Sequence, residues 1–329
     1  MMFDVSVIVP IYNVANYIEK CLVSLFSQTH NSIEFVFVND CTSDNSIDIL
    51  YQVLDRFPER KSAVKLVQHE KNKGLAAARI TGISNASGEY IQHVDSDDFI
   101  DVNMVECLIK NARANNSDIV ISDIWIEWLH KRKKAPQRFI SKEQYLVDIL
   151  EGRIMPGVVN KLARKKIYVD YDIFPIEGMD VGEDLIVTPR LIYYADIITK
   201  VDDAFYYYVQ YNPESYTKQF KIKALQNVSY VLDFLKTFFS NSFDNKYLEA
   251  LEVGISKKKV QYLKEAGSKN TETVLSYFSL PYNKNFSSKF NLLEKFILNL
   301  SEHNLILLKI NLCIYRKMFS ALQSIKRRN

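Results

Sequence analysis

Three acids fall within four residues in the stretch His93-Val94-Asp95-Ser96-Asp97-Asp98-Phe99-Ile100, with apolar Tyr90-Ile91 and Val94 leading in and Phe99-Ile100 following. Carboxylates this close repel one another and are costly to desolvate. A divalent cation relieves both problems. Hard oxygen ligands suit Mg2+ or Mn2+, which keep several waters and bind through one or two carboxylates plus substrate phosphates. The same octet also reads as a solvated Asp/Ser turn, so its neighbours in space decide between the two.

Three other side chains have matching chemistry. Tyr12 can stack on a flat base. Asp40 can accept from an imide N–H or a sugar hydroxyl. Arg79, close to Asn72-Lys73-Gly74, offers a fork of donors for a base or a phosphate. With Asp95 and Asp97 holding a metal on a diphosphate, the set fits a nucleoside diphosphate. No G-x-G-x-x-G follows the first apolar run and no G-x-x-x-x-G-K-[ST] occurs, which argues against a dinucleotide or P-loop site.

The elements that must position these residues alternate. Val5 to Pro10 is β-branched and almost wholly apolar, a strand buried on both faces and ended by Pro10. Ile18, Cys21, Leu22 and Leu25 then repeat at helical spacing, behind Asn16 and Glu19 as a variant capping box. Ile33 to Val38 predicts a second strand, and Asp44 a cap for the helix carrying Ile47, Leu50, Val53 and Leu54. Val64 to Val67, a helix over Leu75 to Ile83, and Tyr90 to Val94 complete the series. Such alternation predicts a parallel sheet, with ligands at the carboxyl ends of its strands. Tyr12, Asn39-Asp40, His69 to Gly74 and Asp95 to Asp98 all fall there, so these four loops should converge on one crevice.

At this point the chain resembles the family 2 glycosyltransferases of GT-A fold, of the type that builds bacterial cell-surface polysaccharide. The resemblance rests on Val7-Ile8-Val9-Pro10-Ile11-Tyr12-Asn13, Val38-Asn39-Asp40-Cys41-Thr42-Ser43-Asp44, Asn72-Lys73-Gly74-Leu75-Ala76-Ala77-Ala78-Arg79 and Asp95-Ser96-Asp97-Asp98, in that order. It implies an α/β fold, a Rossmann-like, mostly parallel sheet flanked by helices. It also implies a nucleotide-sugar cradle from Pro10, Tyr12, Asn13, Asn39, Asp40, Asn72, Gly74, Arg79, Asp95 and Ser96, with Asp40 on the base, usually uracil. Asp95-Ser96-Asp97 would be the DXD motif, Asp97 the main ligand of Mg2+ or Mn2+ and Asp95 beside it. The family often has Asp-Asp-Gly-Ser where this chain has Asn39-Asp40-Cys41-Thr42, and Asn where it has Ile80.

In the second half, Ile119 to Trp128 reads as a strand interrupted by Lys131-Arg132-Lys133-Lys134, a solvated loop or a contact for acceptor phosphate or an anionic membrane surface. Lys142 to Leu150 reads as a helix. Val158 to Lys165 resembles the family's W-N-K-L-Y-R segment, with Val159 and Ala163 replacing its aromatics. Pro175 to Gly182 is a loop, and Glu183-Asp184 an acidic pair at a helix start. Acids favour helix N-termini in any case, but transfer with inversion also needs a carboxylate to take the acceptor proton. By resemblance this is the family's ED motif, with Asp184 the base and Glu183 second. Thr188-Pro189 leaves two readings: a helix starting at Pro189, or a first turn broken there. Val201 to Tyr211 predicts an aromatic strand, whose tyrosines read mostly as core, followed by the loop Asn212 to Thr217. From Lys221 the pattern turns helical.

Composition bounds the rest. The chain has 329 residues, 47% apolar and 25% charged, and a net charge of +3. That is too mild to point to nucleic acid. Four scattered cysteines form no C-x-x-C, which fits reduced thiols and no zinc site. The N-terminus does not read as a signal peptide, and no apolar run is long enough to span a membrane. The expected organisation is a nucleotide-sugar half over 1–100, an acceptor and base half over 101–218, and a helical region over 219–329. The helical region would pack on the catalytic domain, form a homodimer or lie on a membrane. The expected function is inverting, metal-dependent transfer from a nucleotide sugar, UDP-linked, to a hydroxyl of a glycan or lipid-linked glycan. The expected place is the cytoplasm or the inner face of the cell membrane. A nucleotidyltransferase and a non-catalytic nucleotide-sugar binder are the rival readings.

Overall fold

The computed structural model describes residues 3–212, 222–241 and 245–326. The expected loop over Pro213 to Thr217, the boundary at 218 and the helical start at Lys221 lie outside the described residues. The chain divides into two compact units, Met1–Tyr145 with Pro156–Tyr216, and Leu146–Met155 with Thr217–Asn329.

The first unit opens with the expected alternation: β1 (Val5–Ile11), α1 (Ile18–Phe26), β2 (Ile33–Asn39), α2 (Ser46–Leu54), β3 (Val64–Gln68), α3 (Leu75–Asn85) and β4 (Tyr90–His93). β3, β2, β1 and β4 are adjacent and parallel, with Val5 of β1 against Ile33 of β2 and Tyr90 of β4. β1 and β2 are buried along their whole length, which is why they read as unbroken apolar runs. Pro10 lies inside β1 and does not end it. The carbonyl of Ile8 accepts from the amide of Val94 on the β4 side. Pro10, two residues on, faces the same side after the β4 pairing has stopped, so its missing N–H breaks no ladder bond.

Two helix starts differ from expectation. α1 has no capping box: the carbonyl of Val14 instead accepts from the amides of Tyr17 and Ile18. At α2 the capping position is Asn45, which makes no side-chain cap bond; Asp44 before it accepts from the Ser46 amide at 3.1 Å and from the Ala15 amide at 2.8 Å, so it ties the helix start to the loop after β1. α3 lies close against β1 because Gly82 has no side chain; a Cβ there would stand 2.2 Å from Ile8 Cγ2.

After β4 come β5 (Phe99–Ile100), α4 (Met104–Asn115), β6 (Ile119–Trp128), β7 (Lys131–Ala135), α5 (Lys142–Leu150), β8 (Lys161–Arg164), α6 (Lys165–Asp170), α7 (Glu183–Tyr194) and β9 (Ile198–Val209). They extend the sheet in the order β4-β8-β6-β9-β5, parallel between β6 and β9 and antiparallel elsewhere, so the sheet is parallel in its first half and mixed beyond it. The basic run 131–134 is not a loop. It is the edge strand β7, paired antiparallel with β6. An exposed row of lysine and arginine blunts such an edge against further pairing, and Lys134 and Arg132 pair with Asp123 (3.1 Å) and Glu127 (4.0 Å). α7 runs through Thr188-Pro189 unbroken.

The second unit contains α8 (Ile222–Ser240), α9 (Asn245–Ala266), α10 (Thr271–Tyr277), α11 (Leu292–His303) and α12 (Leu305–Lys326). Leu225, Val231, Leu235 and Phe239 of α8 are buried, as are Leu251 and Leu263 of α9. α11 begins with a capping box between Asn291 and Glu294. Among the described residues, no helix is long and apolar enough to cross a membrane.

Candidate active site

The loops at the carboxyl ends of β1, β2 and β3 are tied to one another by short polar links, and Arg79 of α3 holds the loop after β4 through Asp95. The Asn13 amide donates to Thr42 Oγ1 at 2.8 Å, joining the first loop to the second. Asp40 joins the second to the third. One carboxylate oxygen accepts from His69 Nδ1 (2.7 Å) and the Lys73 amide (2.8 Å), and the other from the Gly74 amide (2.8 Å). A carboxylate can accept about four hydrogen bonds, and three are used here, which leaves capacity for one imide N–H.

Gly74 sits at φ +89°, and its missing Cβ leaves room for the carboxylate of Asp180, which would lie 2.4 Å from it. That carboxylate accepts from the Ala76 amide at 3.2 Å. The loop over 175–182 is thus fastened to the first turn of α3, where an anion is favoured by unpaired amides and the helix dipole. Gly74 at φ 89°, ψ 169° lies in a region essentially restricted to glycine, so Gly74→Ala is expected to cost about 1–3 kcal/mol from the backbone alone, read as a lower unfolding temperature.

Arg79 is the centre of the cleft. Its side chain is 3% exposed, and its two terminal nitrogens reach Asp95 at 2.8 Å and Asp184 at 2.7 Å, with Glu183 at 3.7 Å. Burial works against its charge, and Asp95, Asp184 and Glu183 more than reverse that, so it stays protonated. Burial, and then the Asp184 carboxylate, push Glu183 well above the usual range. Burial also raises Asp184, with Arg79 opposing. Asp184 is the more exposed of the two, 27% against 11%. The pair therefore presents the more accessible carboxyl of Asp184 beside the more buried Glu183, whose affinity for a proton is raised further.

The acids of the octet divide into two kinds. Asp98 is buried and accepts from Tyr206 Oη (2.6 Å) and the Val209 amide (2.7 Å). Burial, then Asp97 and Asp95, push it well up. It is an anchor to β9. Asp95 and Asp97 stay half-buried; the Asp95 amide donates to Tyr206 Oη, and Asn212 Nδ2 donates to Asp97 at 2.7 Å. Among the described residues, no group of three or more His, Cys, Asp or Glu is arranged to hold a metal. Two carboxylate donors with one already shared by Arg79 do fit Mg2+ or Mn2+, whose other ligands are waters and substrate phosphate oxygens. They do not make a protein cage.

The remaining candidates take different places. Tyr12 is 42% exposed and Asn72 is exposed, on two of the linked loops. Pro10, Asn39 and Ser96 are buried. Asn39 acts as a brace, donating to Gln68 Oε1 at 2.6 Å and accepting from the Thr42 amide at 2.9 Å. Sequence reasoning missed Tyr206, read as core, and the bonds made by Asn212, Asp180 and His69. Only the resemblance of Val158 to Lys165 to the family's segment gives any signal for a further residue near Asp184.

Residues 6–166 match the family model described as Glycosyl transferase family 2. Among curated proteins the chain is similar to the putative glycosyltransferase EpsH of Bacillus subtilis, 31% identical over 212 residues, 62% of this chain and 60% of that one. It therefore spans about 60% of the length of that relative. It is also similar to the poly(ribitol-phosphate) beta-N-acetylglucosaminyltransferase TarS of Staphylococcus aureus, 30% identical over 63% of this chain and 35% of TarS. The crystal structure of TarS 1-349 in complex with UDP-GlcNAc superposes with a TM-score of 0.74 at 19% identity, over 98% of this chain and 92% of that one. The mannosyltransferase PcManGT of Pyrobaculum calidifontis, in complex with GDP-Man and Mn2+, gives a TM-score of 0.54 at 17% identity, over 95% and 86%. The fold is thus GT-A with C-terminal helices. The glycosyltransferase family 2 match lies within that fold, over residues 6–166.

Proposed function

We propose that the protein is an inverting, metal-dependent glycosyltransferase, moving a sugar from a UDP-linked donor to a hydroxyl of a glycan or lipid-linked glycan in cell-surface polysaccharide synthesis. One observation carries this reading: a single buried guanidinium, Arg79, bridges Asp95 on the donor side and Asp184 on the acceptor side. The leaving group and the attacking hydroxyl are thereby referred to one rigid point, as transfer in a single displacement requires.

In that displacement Asp184 takes the acceptor proton while the acceptor oxygen bonds to the anomeric carbon from the face opposite the diphosphate. The bond from that carbon to the diphosphate oxygen breaks, its electron pair leaves with the diphosphate, and the configuration inverts. Tyr12 and Asp40 bind the base, and Arg79 fixes the Asp95 and Asp184 carboxylates. Asp95 and Asp97 would hold Mg2+ or Mn2+, which when bound supplies positive charge to the departing diphosphate. The UDP-GlcNAc in the TarS structure and the Mn2+ in the PcManGT structure support this choice of donor and ion.

A thermal-shift screen of nucleotide sugars with and without Mn2+ tests the reading. A metal-dependent rise in unfolding temperature is expected with UDP-sugars, about 2.7 kcal/mol of stabilisation at a hundredfold excess over Kd. Asp97→Ala is expected to lose that metal dependence together with donor hydrolysis and transfer. A variant that still transferred sugar in a metal-dependent way would refute the ligand assignment. Release of pyrophosphate from a nucleoside triphosphate would instead indicate nucleotidyl transfer.

A further inference from the structure

A buried amine acts on Asp184, and no step above uses it. Lys161 opens β8 and is 2% exposed. Its ammonium donates to the Gly157 carbonyl at 2.6 Å and to Asn160 Oδ1 at 2.9 Å. Both acceptors are neutral. The ring of Tyr145 lies 5.7 Å away. Gly157 itself borders the base: a Cβ built there would lie 4.0 Å from Asp184 Oδ2. A full charge this deep is costly unless something nearby repays it. Asp184 is the charged group that acts on Lys161, and it does so through space.

We propose that Lys161 is a positioning residue for the proton transfer, an ammonium held beside Asp184 by Gly157 and Asn160 whose charge keeps that carboxylate ionised while the acceptor hydroxyl attacks. This rests on the reading of Asp184 as the base. Burial pulls Lys161 down to about 7, with Asp184 opposing. Below that pH the amine is charged and acts on Asp184. The other groups acting on Asp184 are Arg79 of α3 and Asp95 after β4. Tyr168 of α6 and Glu183 of α7 also face it. Of these only Arg79 is cationic, and its charge is divided among three carboxylates. Lys161 adds a second positive charge acting on Asp184.

The test is the pH dependence of transfer by the full chain with UDP-sugar donor and Mn2+, for wild type, Lys161→Met and Lys161→Gln. Asp184→Asn is measured alongside. Loss of a charge near a carboxylate moves its titration by about one unit or more. Both Lys161 variants are expected to shift the acid limb upward by about one pH unit, becoming about tenfold slower than wild type one unit below the wild-type midpoint. The KM for donor should stay unchanged. If Lys161→Gln, which keeps a donor and loses the charge, reproduces the wild-type profile, the proposal fails and Lys161 is only a hydrogen-bonding brace. If Asp184→Asn transfers normally, the base assignment fails first, whatever Lys161 does. A second readout needs no Lys161 variant to fold. Coupling is reciprocal, so the Lys161 side chain, followed by NMR of 13C-lysine-labelled protein, should titrate at lower pH in Asp184→Asn than in wild type. An identical titration in both would overturn the proposal.

Discussion

Asp184→Asn is expected to lower kcat by about 10²–10⁴-fold, the usual contribution of a positioned general base. The KM for the UDP-sugar and the metal-dependent thermal shift should stay close to wild type. The substitution is nearly isosteric and keeps an oxygen that can accept from Arg79, so the 2.7 Å contact has a replacement partner. What it removes is proton affinity. The pH profile gives an independent check. Burial raises Asp184 and Glu183 above the usual carboxylate range, Glu183 further. The base acts only when ionised, so activity is full above the raised pKa and falls as pH drops through it. The acid limb should therefore lie above the range of an ordinary exposed carboxylate, which is near 4, and Asp184→Asn should abolish it. Normal transfer by Asp184→Asn would remove the base assignment. A loss of UDP binding of the same size as the loss of rate would mean that Asp184 organises the donor site and not the proton.

The parallel half of this fold is legible in the sequence because β1, β2 and β4 are buried on both faces. β1 and β2 have no solvent side, so each reads as a continuous β-branched and aromatic run, and the acids after β4 stand out against it. The crevice followed from topology, since loops after parallel strands share one edge of the sheet. What stayed hidden depends on pairings between distant residues. Asp97 and Asp98 are the same residue type one position apart, and only the register of β5 with β9 decides which turns inward. Phe99 pairs with Tyr207 and Ile100 with Tyr206, which places the Tyr206 hydroxyl against Asp98, 108 residues away in sequence. β7 was misread because four successive cations carry no apolar alternation, and an edge strand with charges on both faces has no periodic signal. The α1 start was misread because a backbone carbonyl can satisfy helix amides that a side chain would otherwise cap.

Arg79→Met is expected to be the most damaging single change in the cleft. Removing one partner from a buried charge cluster costs about 3–5 kcal/mol, because the remaining charges are left uncompensated. For a unit of this size that is roughly 10 °C in unfolding temperature. The loss should itself depend on pH. Without the guanidinium, Glu183 and Asp184, already raised by burial, titrate higher still in the folded chain. A carboxyl with a raised folded pKa destabilises increasingly as pH climbs from the unfolded pKa to the folded one. Unfolding temperatures of variant and wild type should therefore differ little near pH 4 and most at pH 8. Arg79→Lys separates charge from geometry. It returns one positive charge and so recovers most of the stability at pH 8, but a point charge cannot reach Asp95 and Asp184 at once as the planar fork does. Its transfer rate should stay well below wild type. If Arg79→Lys restores rate and stability together, the bridge between the two acids is electrostatic only, and the shared reference point for leaving group and base is lost. If Arg79→Met unfolds equally at both pH values, the three acids are not held by this charge at all.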